Sequence, residues 1–255
     1  MKIARLSLEQ GPRYAVLDEE NAQYLVLADD PMFGKFEPTG QRVAMDDARI
    51  VAPMLPRSKV VGVAGTYPAP GTAGADRDRP ALDDLLVFLK PNTAVIGPND
   101  PIVLPAWAPQ VDHEVELAVV IGRVSKDIPA DRAGEAVFGY TVANDVTARL
   151  ESLTRAKTFD TACPVGPIID TSLDPSDLQL VSRVDGQQRR AGRTSELAYA
   201  IPELVSYLST LFTLLPGDII LTGTPAGDGL IEAGQTVEVE CEGIGVLRNP
   251  VVRQD

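Results

Sequence analysis

Short apolar runs cut by glycine, proline and acidic turns recur from one end of the sequence to the other, and this punctuation restricts the chain to a fold made chiefly of strands. Such runs occupy residues 3–8, 14–17 and 24–27, the last after the acidic turn Asp18-Glu19-Glu20-Asn21. They continue at 60–64, 86–89, 94–96, 102–104, 111–121, 138–144, 178–184, 218–221, 236–241 and 246–252. Asp185-Gly186 is the strongest hairpin signal, because both residue types tolerate the positive φ angles of a type I′ turn. Helical spacing is clearest at 202–211, where Leu204, Leu208 and Leu211 fall on one face and Pro202 sits in the first turn; 129–137 suits a second, short helix opened by Pro129. No strand–helix–strand unit repeats, so the expected class is α+β around a mixed or antiparallel sheet.

At 255 residues the chain has the length of one large domain or two unequal ones, taking about 150 residues as typical. Residues 51–59 carry two prolines and a basic pair, as a linker would, which divides the sequence into a small β-rich N-terminal domain, 1–55, and a main domain, 56–255. A hydrophobic content of 44 % with 23 % charged residues excludes disordered and fibrous classes. The excess of 36 acidic over 23 basic residues opposes phosphate backbones and anionic lipid, so neither nucleic acid nor a membrane surface is expected as a partner. Cys163 and Cys241 are too few for a disulfide framework or a thiolate zinc site and read as buried reduced thiols. Without a signal-like start or an apolar run near the roughly 18 residues of a membrane span, the expected location is cytoplasmic.

In DHEVELAVVIG, residues 112–122, Glu114 and Glu116 lie two apart on a β-forming run, and a period of two puts both carboxylates on one face. The run continues as unbroken apolar sequence, so two acids are carried towards a sheet interior, where neither stays ionised cheaply without a cation. Asp145 likewise ends the apolar strand FGYTVAND. Oxygen donors without Cys or His suit a hard ion, Mg²⁺ first, then Mn²⁺ or Ca²⁺. Strand alternation points the only histidine, His113, away from the two glutamates, and no second imidazole exists to serve a Ser-His or Cys-His mechanism. Lys157 could stabilise an enolate or oxyanion and Arg149 could clamp a carboxylate. The turn at 221–229, LTGTPAGDG, exposes backbone N–H groups, including that of Gly223, beside the Thr224 hydroxyl. Residues 65–80, GTYPAPGTAGADRDRP, admit neither helix nor central strand and read as a lid-like loop directly after an apolar strand.

Six segments in order, FLKPNTAVIGPNDPIVLP, DHEVELAVVIG, GYTVANDVTAR, KTFDTACPVGP, YLSTLFTLLPGDIILTGTPAG and EGIGVLRNPVV, resemble the fumarylacetoacetate hydrolase family over residues 60–252. The resemblance implies a mixed β-sheet rolled on itself, a β-sandwich roll, behind a small N-terminal domain, in a protein that forms homodimers. It implies Mg²⁺ or Mn²⁺ on Glu114, Glu116 and Asp145, a 2-oxo or 1,3-dioxo acid chelating the metal, Lys157 stabilising the enolate, and Arg149, Gly223 and Thr224 lining the substrate pocket. Hydrolytic members carry a water-activating His followed three residues later by Glu; here those positions fall near Pro68 and Gly71, and neither residue is present. A Gln found in many members after the matching arginine is replaced by Leu150-Glu151-Ser152. Three expectations follow. An enzyme could move acid–base duty to Tyr67, Asp76, Asp78 or Glu151, or use water activated by the metal, and keep C–C hydrolysis. It could run a reaction needing no activated water, decarboxylation or keto–enol isomerisation. Or it is a silent homologue that binds metal and an oxo-acid, or serves as a scaffold.

Overall fold

The computed structural model describes residues 1–68 and 81–254. Among these, the main sheet runs in the order Pro38–Ala44, Gln23–Leu27, Gly11–Asp18, Lys2–Leu8, Cys163–Asp170, Val137–Asn144, Val115–Ile121, Ile219–Leu221, Val60–Ala64 and Leu86–Lys90. Most neighbours are antiparallel, but Ile219–Leu221 runs parallel to Val60–Ala64, so the sheet is mixed. The N-terminal strands form a meander that continues this sheet, joined through Lys2 opposite Asp170 and Ile3 opposite Ile169.

A second sheet, Gln187–Arg193, Gln179–Val184, Thr236–Cys241, Gly245–Arg253 and Ile102–Leu104, contacts the centre of the first. Its hairpin turns at Asp185-Gly186, both at positive φ as expected. Between the sheets lies the core, in which every residue of Val115–Ile121 is buried. An apolar run covered on both faces reads as continuous rather than alternating, which is why its burial is visible in the sequence. Both cysteines are buried and free. No helix among the described residues is long and apolar enough to cross a membrane.

The helix expected at 202–211 spans Ile201–Leu211, with Leu204 and Leu208 buried. Three expectations need correction. The segment 111–121 is two strands, because His113 and Glu114 leave the ladder: the His113 N–H donates to the Gly229 carbonyl at 2.7 Å and the Glu114 N–H to Asn144 Oδ1 at 2.9 Å. Val111–Asp112 instead joins a small sheet between Thr147–Ala148 and Leu230–Ile231. Residues Ala130–Ala136 wind as 3₁₀ turns that Pro129 caps from outside, with Gly134 weakening any α-helix there. Strand Pro38–Ala44 was not expected, since it is exposed along nearly its whole length and lacks an apolar alternation.

Candidate active site

Two adjacent strands of the main sheet bring the acids together. Val115 lies opposite Asn144, so Glu116 on one strand and Glu114, just before that strand begins, flank the end of the other, where Asp145 follows. The Asp145 N–H donates to the Glu114 carbonyl at 2.9 Å and fixes this junction. One carboxylate oxygen from each of Glu114, Glu116 and Asp145 lies within 4.8 Å of the other two. Glu116 and Asp145 are buried, and Glu114 stands at the mouth.

Two lysines reach the same acids. The short helix Leu153–Lys157, capped by Ser152, delivers Lys157, whose Nζ donates to Glu114 Oε2 at 2.8 Å, Asp145 Oδ2 at 2.5 Å and Thr147 Oγ1 at 2.6 Å. Lys90, at the end of Leu86–Lys90, is fully buried and donates to Asp145 Oδ1 at 2.5 Å and the Val146 carbonyl at 3.0 Å. Sequence reading gave Lys90 no role. The available signal was a lysine at an inward strand position, two residues after Phe88, in a run otherwise apolar. The fifth element is the turn after Ile219–Leu221: the Gly223 N–H donates to Glu116 Oε2 at 2.6 Å.

Three carboxylates face two ammoniums, and their protonation follows from position. Burial, reinforced by Asp145 and Glu114, pushes Glu116 well above its ordinary range, although Lys157 and the Gly223 N–H pull it down. Burial also raises Glu114, with Asp145 adding to it and Lys157 opposing. For Asp145 burial acts upward too, but the ammoniums of Lys90 and Lys157 outweigh it and hold the carboxyl below the usual range. Burial favours neutral Lys157, yet Asp145 and Glu114 overcome it, so the ammonium keeps its proton.

Glu114, Glu116, Asp145 and Lys157 line a cavity of about 230 Å³ together with Val63, Phe88, Tyr67, Gly223 and Thr224, with Lys90 buried behind Asp145. The Tyr67 and Thr224 hydroxyls are buried and have no hydrogen-bond partner among the described residues. Burial, with the nearby Glu116, raises Tyr67 far above its ordinary value, so its hydroxyl stays a donor. Buried polar atoms are rarely left unpaired unless something else completes them. The donor set, three carboxylates without a thiolate or imidazole, fits a hard divalent cation held by Glu114, Glu116 and Asp145. Cys163 lies behind the acids, and burial pushes its thiol up to about 12.

The structure thus brings together Glu114, Glu116, Asp145, Lys157, Tyr67, Gly223 and Thr224. It places Arg149 elsewhere: the side chain is 46 % exposed and its Nε and Nη2 each donate to Asp112 at 2.8 Å, outside the cavity lining. Glu151 is exposed and also outside it. Asp76, Asp78 and Gly71 lie outside the described residues. His113 is buried with its ring between the Gly229 carbonyl and the Ser182 hydroxyl.

Residues 59–252 match the model of the fumarylacetoacetate (FAA) hydrolase C-terminal family, and residues 1–53 match an Rv2993c-like N-terminal family. A 5-carboxymethyl-2-hydroxymuconate delta-isomerase from Mycobacterium smegmatis is 48 % identical, with each chain covered completely and a TM-score of 0.89. The mitochondrial oxaloacetate tautomerase FAHD2A of Bos taurus is 40 % identical over 226 residues, 78 % of this chain and 72 % of the relative. A maleylpyruvate hydrolase from Sphingobium sp. SYK-6, solved with manganese(II) and pyruvate, is 28 % identical over the whole of both chains, at a TM-score of 0.82. With a family match across both sheets and the acid cluster, and full-length likeness in structure, the chain belongs to the fumarylacetoacetate hydrolase family.

Proposed function

We propose that the chain is a divalent-metal-dependent enzyme that interconverts the keto and enol forms of a 2-oxo carboxylic acid. The observation carrying this reading is the convergence of Glu114, Glu116, Asp145 and Lys157 on one small cavity into which two neutral hydroxyls also face. Mg²⁺ or Mn²⁺, or Ca²⁺ among the hard ions, on the three carboxylates would supply Lewis-acid polarisation of a chelating keto-acid.

The chain's own residues account for the remainder. The Lys157 ammonium, kept protonated by Asp145 and Glu114, offers a fixed positive charge to the oxygen that becomes an enolate. The Tyr67 hydroxyl keeps its proton at Oη and hydrogen-bonds that oxygen as its charge develops, while the proton leaving or rejoining the adjacent carbon, and the one carried by the enol oxygen, exchange with solvent at the cavity mouth. Thr224 Oγ1 and the apolar wall of Val63 and Phe88 orient the acid and limit water around it. This chemistry needs no activated water, which accords with a sequence whose one imidazole is occupied by Gly229 and Ser182. The likeness to relatives named as an isomerase and a tautomerase supports the same reaction class. Arg149 and Glu151 have no part in the proposed step. The proposed assembly is a homodimer, supported by Leu86 and Leu89, 50 % and 49 % exposed on a strand that ends the main sheet among the described residues.

The test is to mix metal-loaded protein with oxaloacetate and with an acylpyruvate while following enol absorbance, carbon dioxide and released acid. Enol decay faster than with the same metal in buffer, lost in Glu116→Gln and Asp145→Asn, is the expected result. Acylpyruvate cleavage would assign a hydrolase, carbon dioxide release a decarboxylase, and inertness towards both a silent homologue; each would overturn the proposal.

A further inference from the structure

Two site elements, the Gly223 N–H and the Thr224 hydroxyl, come from the 222–229 loop rather than from the acid-bearing strands, so something must hold that loop against the cavity. Its far side lies on the hairpin Gln179–Val184 and Gln187–Arg193. There Arg190, 8 % exposed, donates Nη1 to the Pro225 carbonyl at 2.8 Å, and its backbone bridges to Gly227. The approach is close enough that a Cβ at Gly227 would come within 2.5 Å of the Arg189 carbonyl oxygen and 2.6 Å of Arg190 Cγ. Arg189 Nη1 adds a bond to Asp228 at 3.1 Å. At the loop's end the His113 Nδ1–H donates to the Gly229 carbonyl at 2.8 Å, and its Nε2 accepts from the Ser182 hydroxyl at 2.7 Å on the same hairpin.

Arg190 is unusual within this arrangement. Among the described residues no carboxylate lies within ion-pair distance of it, although its charge acts on Glu114 from further away, and its buried Nε has no partner. A buried guanidinium spent on one carbonyl is costly and is not explained by sheet formation, since the backbone bridge to Gly227 does not require it. We propose that Arg190 is a positioning residue that acts through the 222–229 loop: by holding Pro225 it keeps Thr224 Oγ1 facing the cavity and the Gly223 N–H on Glu116, without touching substrate. This rests on the cavity being an oxo-acid site.

The experiment combines Arg190→Met, Arg190→Lys, Thr224→Val and the Arg190→Met/Thr224→Val pair. The readouts are oxaloacetate tautomerisation, binding of oxalate in the presence of Mn²⁺, and hydrogen exchange of the loop amides. Arg190→Met is expected to raise KM for oxaloacetate and Kd for oxalate by about tenfold with kcat within about twofold, and to speed Gly223 amide exchange by at least tenfold. Arg190→Lys, able to reach the Pro225 carbonyl through one ammonium, should recover part of each effect. In the Thr224→Val background Arg190→Met should cost less than about twofold more, because the hydroxyl it places is already gone. Fully additive losses with unchanged loop exchange would overturn the proposal. A wild-type protein that neither turns over oxaloacetate nor binds oxalate would overturn the oxo-acid reading, while the exchange measurement would still decide the clamp. If Arg190→Met does not fold, Arg190→Lys carries the comparison.

Discussion

Replacing Glu116 with Gln should raise the melting temperature of the metal-free chain at pH 8 and remove most of its stabilisation by Mn²⁺. Glu116 has an ordinary value of 4.5 and is raised well above it by burial, then by Asp145 and Glu114. The folded chain therefore holds a proton that the unfolded chain has lost throughout the window between those two values. Because the native state binds more protons there, stability is greatest at the acidic end and falls as pH rises through the raised value, by up to about 1.4 kcal/mol per pH unit. At about 2–4 °C per kcal/mol for a chain of this size, that is about 3–6 °C per pH unit. Gln keeps an oxygen to accept the Gly223 N–H and has no proton to lose, so the variant escapes the penalty. Mn²⁺ at a hundredfold over Kd should stabilise the wild type by about 2.7 kcal/mol, or about 5–11 °C. Scanning calorimetry of both proteins in chelator and in Mn²⁺, from pH 6 to 8.5, tests all of this. A variant that melts below wild type in chelator at pH 8 and keeps the full Mn²⁺ shift would refute the account of the acid cluster.

Other perturbations act on the same cluster from different sides. Asp145→Asn strips Lys90 of its carboxylate and Lys157 of one of two, which should cost about 3–5 kcal/mol; pairing it with Lys90→Met should recover much of the loss, and simple additivity in denaturant melts would contradict the shared pair. Tyr67→Phe removes the proposed donor and should lower tautomerase kcat by about 10²-fold with Mn²⁺ affinity unchanged by calorimetric titration; an unaltered kcat would remove Tyr67 from the mechanism. Arg149→Ala should leave turnover within about twofold, because that guanidinium is spent on Asp112. Charged residues at Leu86 and Leu89 together should give a monomer by light scattering, and an unaffected dimer would place the interface elsewhere.

The acid pair was legible in the sequence because a period of two and an unbroken apolar continuation are local properties of one segment. The arrival of Asp145 beside it depends on Val115 facing Asn144, a pairing between segments that spacing does not encode, and only the family resemblance supplied it. Lys90 was missed for the same reason: its strand meets the site through pairing of Val60 with Lys90 and of Ile219 with Val60, two long-range contacts in series. Arg149 was expected in the pocket but lies on Asp112, because the small sheet puts Asp112 opposite Thr147 and brings the arginine two residues further on within reach of that carboxylate. The helix at Ile201–Leu211 and the Asp185-Gly186 hairpin were readable, since periodicity and turn chemistry are written within a few residues.

The enclosure of His113 carries a consequence for solution work. Burial, acting first, moves this lone imidazole below its usual titration range, and both thiols are pushed up to about 12. Among the described residues the imidazole and the two thiols are thus moved away from neutrality in opposite directions, while the cavity glutamates are moved towards it. An inflection near neutrality in a rate or binding profile is therefore expected to come from the raised glutamates around the cavity, and its persistence in Glu116→Gln and Glu114→Gln would refute that source.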